Sequence, residues 1–454
     1  MRTIAAIATP DTLGSIAMLR ISGERAIEIA EKVFNPVNDR AVSDMQGYTA
    51  AYGIIHDNGV KIDDGVLLIY RTPKSYTGED VAEITCHGGV YVARRVLQAC
   101  LSAGAQLAEA GEFTKRAVLN GKMSLTQAES VIDIINSVNE QYLSCSNAQK
   151  DGSLFRKIND ISEKILEVSA HIAAWIDYPE EGLNSFETSS HIGQLTDCRL
   201  QLSLLLKSYE IGRIMREGVV TAIVGKPNAG KSTLMNLMTR RNRSIVTDIP
   251  GTTRDIVEET VNMGGAVLRL CDCAGIRETD DAVEKIGIEF MLRQIDEAAL
   301  ILAVFDNSRS LEKEDCALIE KISGKNSICI INKTDLENKL DLTILATQFK
   351  HVVQLCAKEN EPSLEKLVTV INKVYDVKTL DLSAGFIANE RQRVCALEAE
   401  RLLGEAIDGI EAGAPLDATG FLLENALEAL YRLSGKSASA EIIGEVFKRF
   451  CVGK

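Results

Sequence analysis

A chain of 454 residues exceeds what one hydrophobic core usually organises, so several domains are expected. With 46% hydrophobic and 25% charged residues and only 8 prolines, its composition is globular and argues against a long disordered linker. The net charge of −14 argues against a hold on nucleic acid made mainly through phosphates, which needs a basic stripe; an RNA role would call for a basic partner or a local patch.

From the N-terminus, the apolar stretch Ile4 to Ala8 is broken at Pro10-Asp11, too short for a secretory segment, and no apolar run approaches a membrane span. The 11 cysteines are dispersed, odd in number and lack a Cys-x-x-Cys pair, which disfavours a disulfide framework or thiolate zinc site. A cytoplasmic protein in a reducing compartment, away from membranes, is expected. Over residues 1–119 the segments Ile16–Ile21 and Gly65–Tyr70 read as strands between glycine-bearing turns, with a helix over Val90–Ala103, predicting an α+β domain. From about Ser124 apolar residues recur three and four apart, as in Leu154, Ile158, Ile161, Ile165, Val168 and Ile172, the stripe of a core-facing helix. That texture returns in Ala388–Ile410, Ala418–Leu433 and Ala440–Phe450.

Between the helical stretches, Val219–Val224, Val267–Leu270, Leu300–Phe305, Ser327–Ile331 and His351–Leu355 read as short buried strands with helices between most of them, the pattern of a parallel sheet. The predicted architecture is a multidomain α/β chain: an α+β domain over 1–119, a discontinuous all-α helical domain over 120–215 and 379–454, and a doubly wound domain inserted at 216–378.

The first of these strands runs into Gly225-Lys-Pro-Asn-Ala-Gly230-Lys231-Ser232 and a helical Thr233–Met238, a phosphate loop in its required context. Alone, this is either a phosphate cradle or a glycine turn before an ordinary helix. In the first reading, the backbone around Asn228, Ala229, Gly230 and Thr233 closes on phosphates, Lys231 reaches the β and γ oxygens and Ser232 holds Mg²⁺. Asp272 and Gly275 end the next strand, where a carboxylate holds the magnesium shell and an amide senses the γ-phosphate. Thr253, in the intervening Gly251-Thr-Thr-Arg-Asp255, is the candidate loop hydroxyl for Mg²⁺. Asn332-Lys333-Thr-Asp335 then offers a carboxylate to guanine N1–H and the 2-amino group, donors that adenine lacks. Cys356-Ala357-Lys358 occupies the place where this superfamily usually has Ser-Ala-Lys. The cysteine keeps the backbone contact while weakening the side-chain one. Three elements in order on successive strand ends predict a GTP-hydrolysing domain.

Where Ras-like enzymes carry the water-orienting glutamine, this chain has Ile276, which does neither acid nor base work. Glu284 is the candidate replacement, the alternative being a solvated carboxylate on a charged helix face.

The chain resembles the MnmE (TrmE) family of tRNA-modification GTPases throughout its length. The resemblance rests on Leu19-Arg-Ile-Ser-Gly23, Tyr76-Thr-Gly-Glu-Asp80, His87-Gly-Gly89, Gly111-Glu-Phe-Thr-Lys-Arg116, Asp177-Tyr-Pro-Glu-Glu181, the GTPase segments and the closing Cys451-Val-Gly-Lys454. It implies a tetrahydrofolate-binding, dimerising N-terminal domain, with folate-site positions at Arg20, Glu83, Lys122 and Lys454; read singly, these charges are surface ion pairs. Cys451 becomes either a thiol at the same pocket or a small residue near a terminus. The resemblance further implies GTPase domains pairing face to face around K⁺, with Asn228, Thr247, Ile249 and Thr252 as ligand positions, and Glu284 as the residue that orients the water. The implied activity is potassium-stimulated GTP hydrolysis with the flavoprotein MnmG (GidA), as a homodimer joined in a heterotetramer. It adds a carboxymethylaminomethyl-type group to the wobble uridine of tRNA from a 5-formyl or 5,10-methylene tetrahydrofolate. The family's glycine-rich stretch after Ala-Thr-Pro is here Asp11-Thr-Leu-Gly-Ser15, which alters backbone approach in that loop. Rival readings are a GTPase switch in ribosome assembly without one-carbon chemistry, and a folate enzyme whose GTPase domain is regulatory.

Overall fold

A computed structural model describes the chain apart from residues 1, 39, 178–187, 243–258, 272–292, 359–361, 376–383, 438–443, 445, 449 and 454. Internal contacts divide it into two units, one of Met1–Ile132, Lys150–Asp177 and Gly420–Lys454, the other of Asp133–Gln149 and Tyr178–Thr419.

The first unit is built on strands β1 (Ile4–Ile7), β2 (Ile16–Ser22), β3 (Phe34–Pro36), β4 (Thr49–Asp57), β5 (Val60–Tyr70), β6 (Val81–His87) and β7 (Gln106–Leu107), in the order β3-β4-β5-β6-β2-β1-β7. All neighbours are antiparallel except β1 and β7. Alternation puts Leu19, Ile21, Leu67, Ile69 and Ile84 on one face, buried beneath helices α1 (Ala26–Val33) and α2 (Val90–Ser102). The β4–β5 hairpin turns at Asn58-Gly59, both at positive φ (50° and 83°), the backbone a tight hairpin turn of matching twist requires. The opposite face receives α3 (Glu112–Leu119), whose Phe113 is buried with Ile4, Ala6 and Ala108. Helix α4 (Leu125–Ile135) begins on a small core with Phe447 and Phe450. In α6 (Ser153–Asp177) the expected stripe from Leu154 to Ile172 is buried, whereas the preceding α5 (Glu140–Lys150) belongs to the second unit up to Gln149.

The second unit contains α7 (Thr188–Glu217) packed on α12 (Glu390–Glu411), where Arg199 donates to Glu400 at 2.8 Å. Its sheet comprises β8 (Val219–Val224), β9 (Glu259–Met263), β10 (Ala266–Leu270), β11 (Leu300–Asp306), β12 (Ser327–Asn332) and β13 (Val352–Gln354), ordered β13-β12-β11-β8-β10-β9. The expected strands are present and parallel, and β11 is buried at every residue, as a sheet covered on both faces requires. One element departs from that expectation: β9 pairs antiparallel with β10 at the sheet edge, through Gly264-Gly265 at φ 71° and 128°. Helices α8 (Lys231–Asn242) and α11 (Pro362–Val374) cover one face, and α9 (Lys313–Ile322) and α10 (Leu342–Gln348) the other. Helix α13 (Leu416–Ser434) belongs to the first unit from Gly420 onward. Among the described residues no helix is long and apolar enough to cross a membrane.

Candidate nucleotide site and N-terminal charged cluster

In the sheet order, β8 is flanked by β11 and β10, so the chain's excursions from β8 run to both sides and loops converge at the carboxyl ends of its neighbours. The phosphate loop leaves β8 there. Gly225 has φ 147° and a Cβ on it would lie 2.3 Å from the Val304 carbonyl oxygen; on Gly230, at φ 96°, it would lie 2.1 Å from Asn332 Nδ2. Both contacts leave room for glycine alone. Asn228 also sits in the left-handed region, at φ 61°. The Lys231 ammonium donates to the carbonyls of Gly225 and Lys226 at 2.8 Å each, which centres its charge in the loop. Ser232 and Thr233 are exposed in the first turn of α8, beside N–H groups that suit an anion.

Asn332 joins this loop to the Cys356-Ala357-Lys358 segment. Its Nδ2 donates to Ala229 O and its Oδ1 accepts from Ala357 N, each at 2.9 Å, while the side chain is buried. Lys333 follows at φ 63° and its ammonium meets Asp306 Oδ2 at 2.6 Å. Asp335 is exposed, and the Cys356 thiol donates to its Oδ1 at 3.1 Å. The side-chain support that the serine-to-cysteine departure was expected to weaken is therefore present as a thiol hydrogen bond, with Lys358 exposed beyond it. Sequence reasoning missed Asp306, whose signal is a carboxylate at the end of an apolar strand followed by Asn307-Ser308. Burial disfavours its charge, but hydrogen bonds from Lys333 and Ser308 outweigh this and hold the carboxyl down at about 2. Lys226 was missed too; burial works against its charge, yet contacts with Glu312 and Glu314 raise its pKa. Thr247, Ile249, Thr252, Thr253, Asp272, Gly275 and Glu284 lie outside the described residues.

In the first unit, register places Arg20 opposite Glu83, with guanidinium-to-carboxylate distances of 2.7 and 2.8 Å. Both side chains are largely buried, and the guanidinium lies 5.6 Å from the ring centroids of Tyr76 and Phe113. Arg20 Nη1 also donates to Gly453 O at 3.4 Å. The closing segment reaches this point because Gly111 N donates to Cys451 O at 3.2 Å and Val452 bridges Ala110. Cys451 itself is exposed. Lys122 donates to Pro73 O at 3.0 Å, on the loop that carries Tyr76. Arg20, Glu83 and the closing segment thus share one place, Lys122 is tied to a neighbouring loop, and Lys454 lies outside the described residues.

Three sequence motifs meet in the same unit. Arg116 joins Glu79 at 3.0 Å and Glu112 at 2.8 Å, and Glu79 accepts from Ser22 Oγ at 2.7 Å. Hydrogen bonds and paired charge compensate these buried groups. The altered loop is held where Gly14 N donates to Gly88 O at 3.0 Å, and a Cβ on Gly88 would lie 2.3 Å from Gly14 O.

Two family models match: GTP-binding protein TrmE N-terminus over residues 3–122 and MnmE helical domain over residues 125–451. Among curated proteins, the tRNA modification GTPase MnmE of Clostridioides difficile is 38% identical over 100% of this chain and 99% of its own length. The protein of the same name from Bacillus licheniformis is 40% identical over 100% of both, and that from Thermoanaerobacter pseudethanolicus 40% over 100% of this chain and 99% of its own.

Proposed function

This chain belongs to the MnmE family of tRNA modification GTPases, and from that premise we propose that its GTP hydrolysis serves, with the flavoprotein MnmG, to add a carboxymethylaminomethyl-type group at the wobble uridine of tRNA. The observation that carries the nucleotide reading is Asn332, which ties the phosphate loop to the Cys356-Ala357-Lys358 segment while Asp335 remains exposed to a base.

The glycine contacts at 225 and 230 form a cradle, and Ser232 at the head of α8 is the residue present that would hold Mg²⁺, joined in our proposal by Thr253 and Asp272. Lys231 balances phosphate charge and Asp335 selects guanine. Asn228, Thr247, Ile249 and Thr252 are proposed for K⁺, and Glu284 for orienting the attacking water, because Ile276 has no group for that role. Exposed Asn228, held at φ 61°, supports a ligand position on the loop.

In the N-terminal cluster, Arg20 and Glu83 pair beside two aromatic rings, a donor and acceptor set that fits a folate pteridine or its glutamate tail. Lys122, Lys454 and Cys451 complete the proposed site. Bound tetrahydrofolate supplies the one-carbon unit; the residues bind and orient it. Homodimerisation and a heterotetramer with MnmG complete the reading, and the domain boundaries proposed are 1–119, 120–215 with 379–454, and 216–378.

The test is GTP turnover by the full chain in K⁺ against Na⁺ at equal ionic strength, with Glu284→Ala alongside. Potassium-selective turnover, lost in the variant while nucleotide still binds, is expected; equal rates in both salts would remove the cation from the mechanism.

A further inference from the structure

Lys226 stands next to the first glycine of the phosphate loop but points its ammonium at α9. It meets Asp315 at 3.5 Å and also pairs with Glu312 and Glu314; the lysine side chain is 17% exposed. Two of these carboxylates are not independent surface charges. Glu312 and Asp315 form the reciprocal cap at the start of α9, where Glu312 N donates to Asp315 Oδ2 at 2.9 Å. At its other end, the Lys226 carbonyl accepts from the Lys231 ammonium at 2.8 Å and from Ala229 N at 3.3 Å. One residue therefore links the capped end of α9 to the backbone atom on which the phosphate-binding ammonium rests.

We propose that Lys226 is a positioning residue for nucleotide binding, holding the phosphate loop in place by anchoring it to Glu312, Glu314 and Asp315. This rests on the reading of residues 225–232 as the phosphate loop. An anchored loop spends less free energy on ordering when phosphate arrives, and that saving applies equally to ground and transition states. The anchor thus acts on affinity and KM, leaving kcat nearly unchanged.

A cation beside the loop has a simpler rival role, attracting the triphosphate directly. The two roles differ in sign when the acidic partners are neutralised. Removing negative charge from α9 strengthens a bare attraction for the triphosphate, whereas it releases an anchor.

The experiment measures dissociation constants of a fluorescent non-hydrolysable GTP analogue and of GDP, with steady-state GTP turnover, on full-length wild type, Lys226→Met, Lys226→Arg and the double variant Glu312→Gln with Glu314→Gln. Glu312→Gln retains an acceptor oxygen for the cap. Lys226→Met and the double variant are each expected to weaken both nucleotides by about twofold to fivefold, raising KM without a matching fall in kcat, and Lys226→Arg is expected to restore most of the affinity. Tighter binding in the double variant would overturn the anchor in favour of direct attraction. Unchanged affinity in Lys226→Met would overturn it outright, while absence of nucleotide binding by the wild type would instead sink the phosphate-loop reading.

Discussion

At Cys356 a sulfur stands where an oxygen is usual, and its consequence is a matter of one hydrogen bond. The thiol donates to Asp335, the carboxylate that would face guanine. A bond to a charged acceptor contributes about 1–2 kcal/mol when its removal leaves the partner less well held. Cys356→Ala is therefore expected to weaken GTP by roughly tenfold, and Cys356→Ser to restore it, by titration of each variant with the nucleotide. Asp306 gives a pH prediction. Its folded carboxyl is held at about 2 against an ordinary 3.8. The group's stabilisation is thus complete above the ordinary value and is lost as pH falls through the lower one, amounting to ~2 kcal/mol. The urea midpoint of the wild type should exceed that of Asp306→Asn near neutrality, and the gap should close on acidification from about 4 to about 2. A gap independent of pH would mean that the Lys333 pairing contributes nothing.

The elements transmit such local choices over longer stretches of chain. The closing segment is held through backbone contacts with Gly111 and Ala110, and Gly453 at φ 96° would place a Cβ 2.5 Å from Ile7 O. Gly453→Val therefore strains the backbone and meets a main-chain atom that cannot rotate away. It is expected to lower the melting temperature of the full chain and to weaken tetrahydrofolate binding, measured calorimetrically, with GTP affinity retained. Unaltered folate affinity would show that the segment does not contribute to the proposed folate site. The edge strand β9 teaches a different lesson. Its hairpin was signalled by Gly264-Gly265, but the expectation of strands separated by helices passed over it, because a two-residue connection imposes antiparallel pairing whatever the rest of the sheet does.

At the scale of the whole molecule, the candidate nucleotide residues belong to one compact unit and the Arg20–Glu83 pair to the other. Ligand binding at the two should be separable by mutation. Arg20→Ala is expected to lose folate binding and keep GTP binding, Lys231→Ala the reverse, and both to lose modification of tRNA in an assay with MnmG. Modification surviving in Lys231→Ala would favour a folate enzyme with a merely regulatory GTPase domain. The sequence by itself determined the phosphate loop, the Asn332–Asp335 segment, the buried stripe of α6 and the family, because each is written in neighbouring residues or in a period of a few residues. Only the tertiary structure decided that Asn332 joins two loops, that Cys356 supports Asp335, that Arg116 closes on Glu79 and that Lys226 reaches α9. Those pairings bring together residues far apart along the chain, and their geometry is set by strand order and register, which local pattern does not encode.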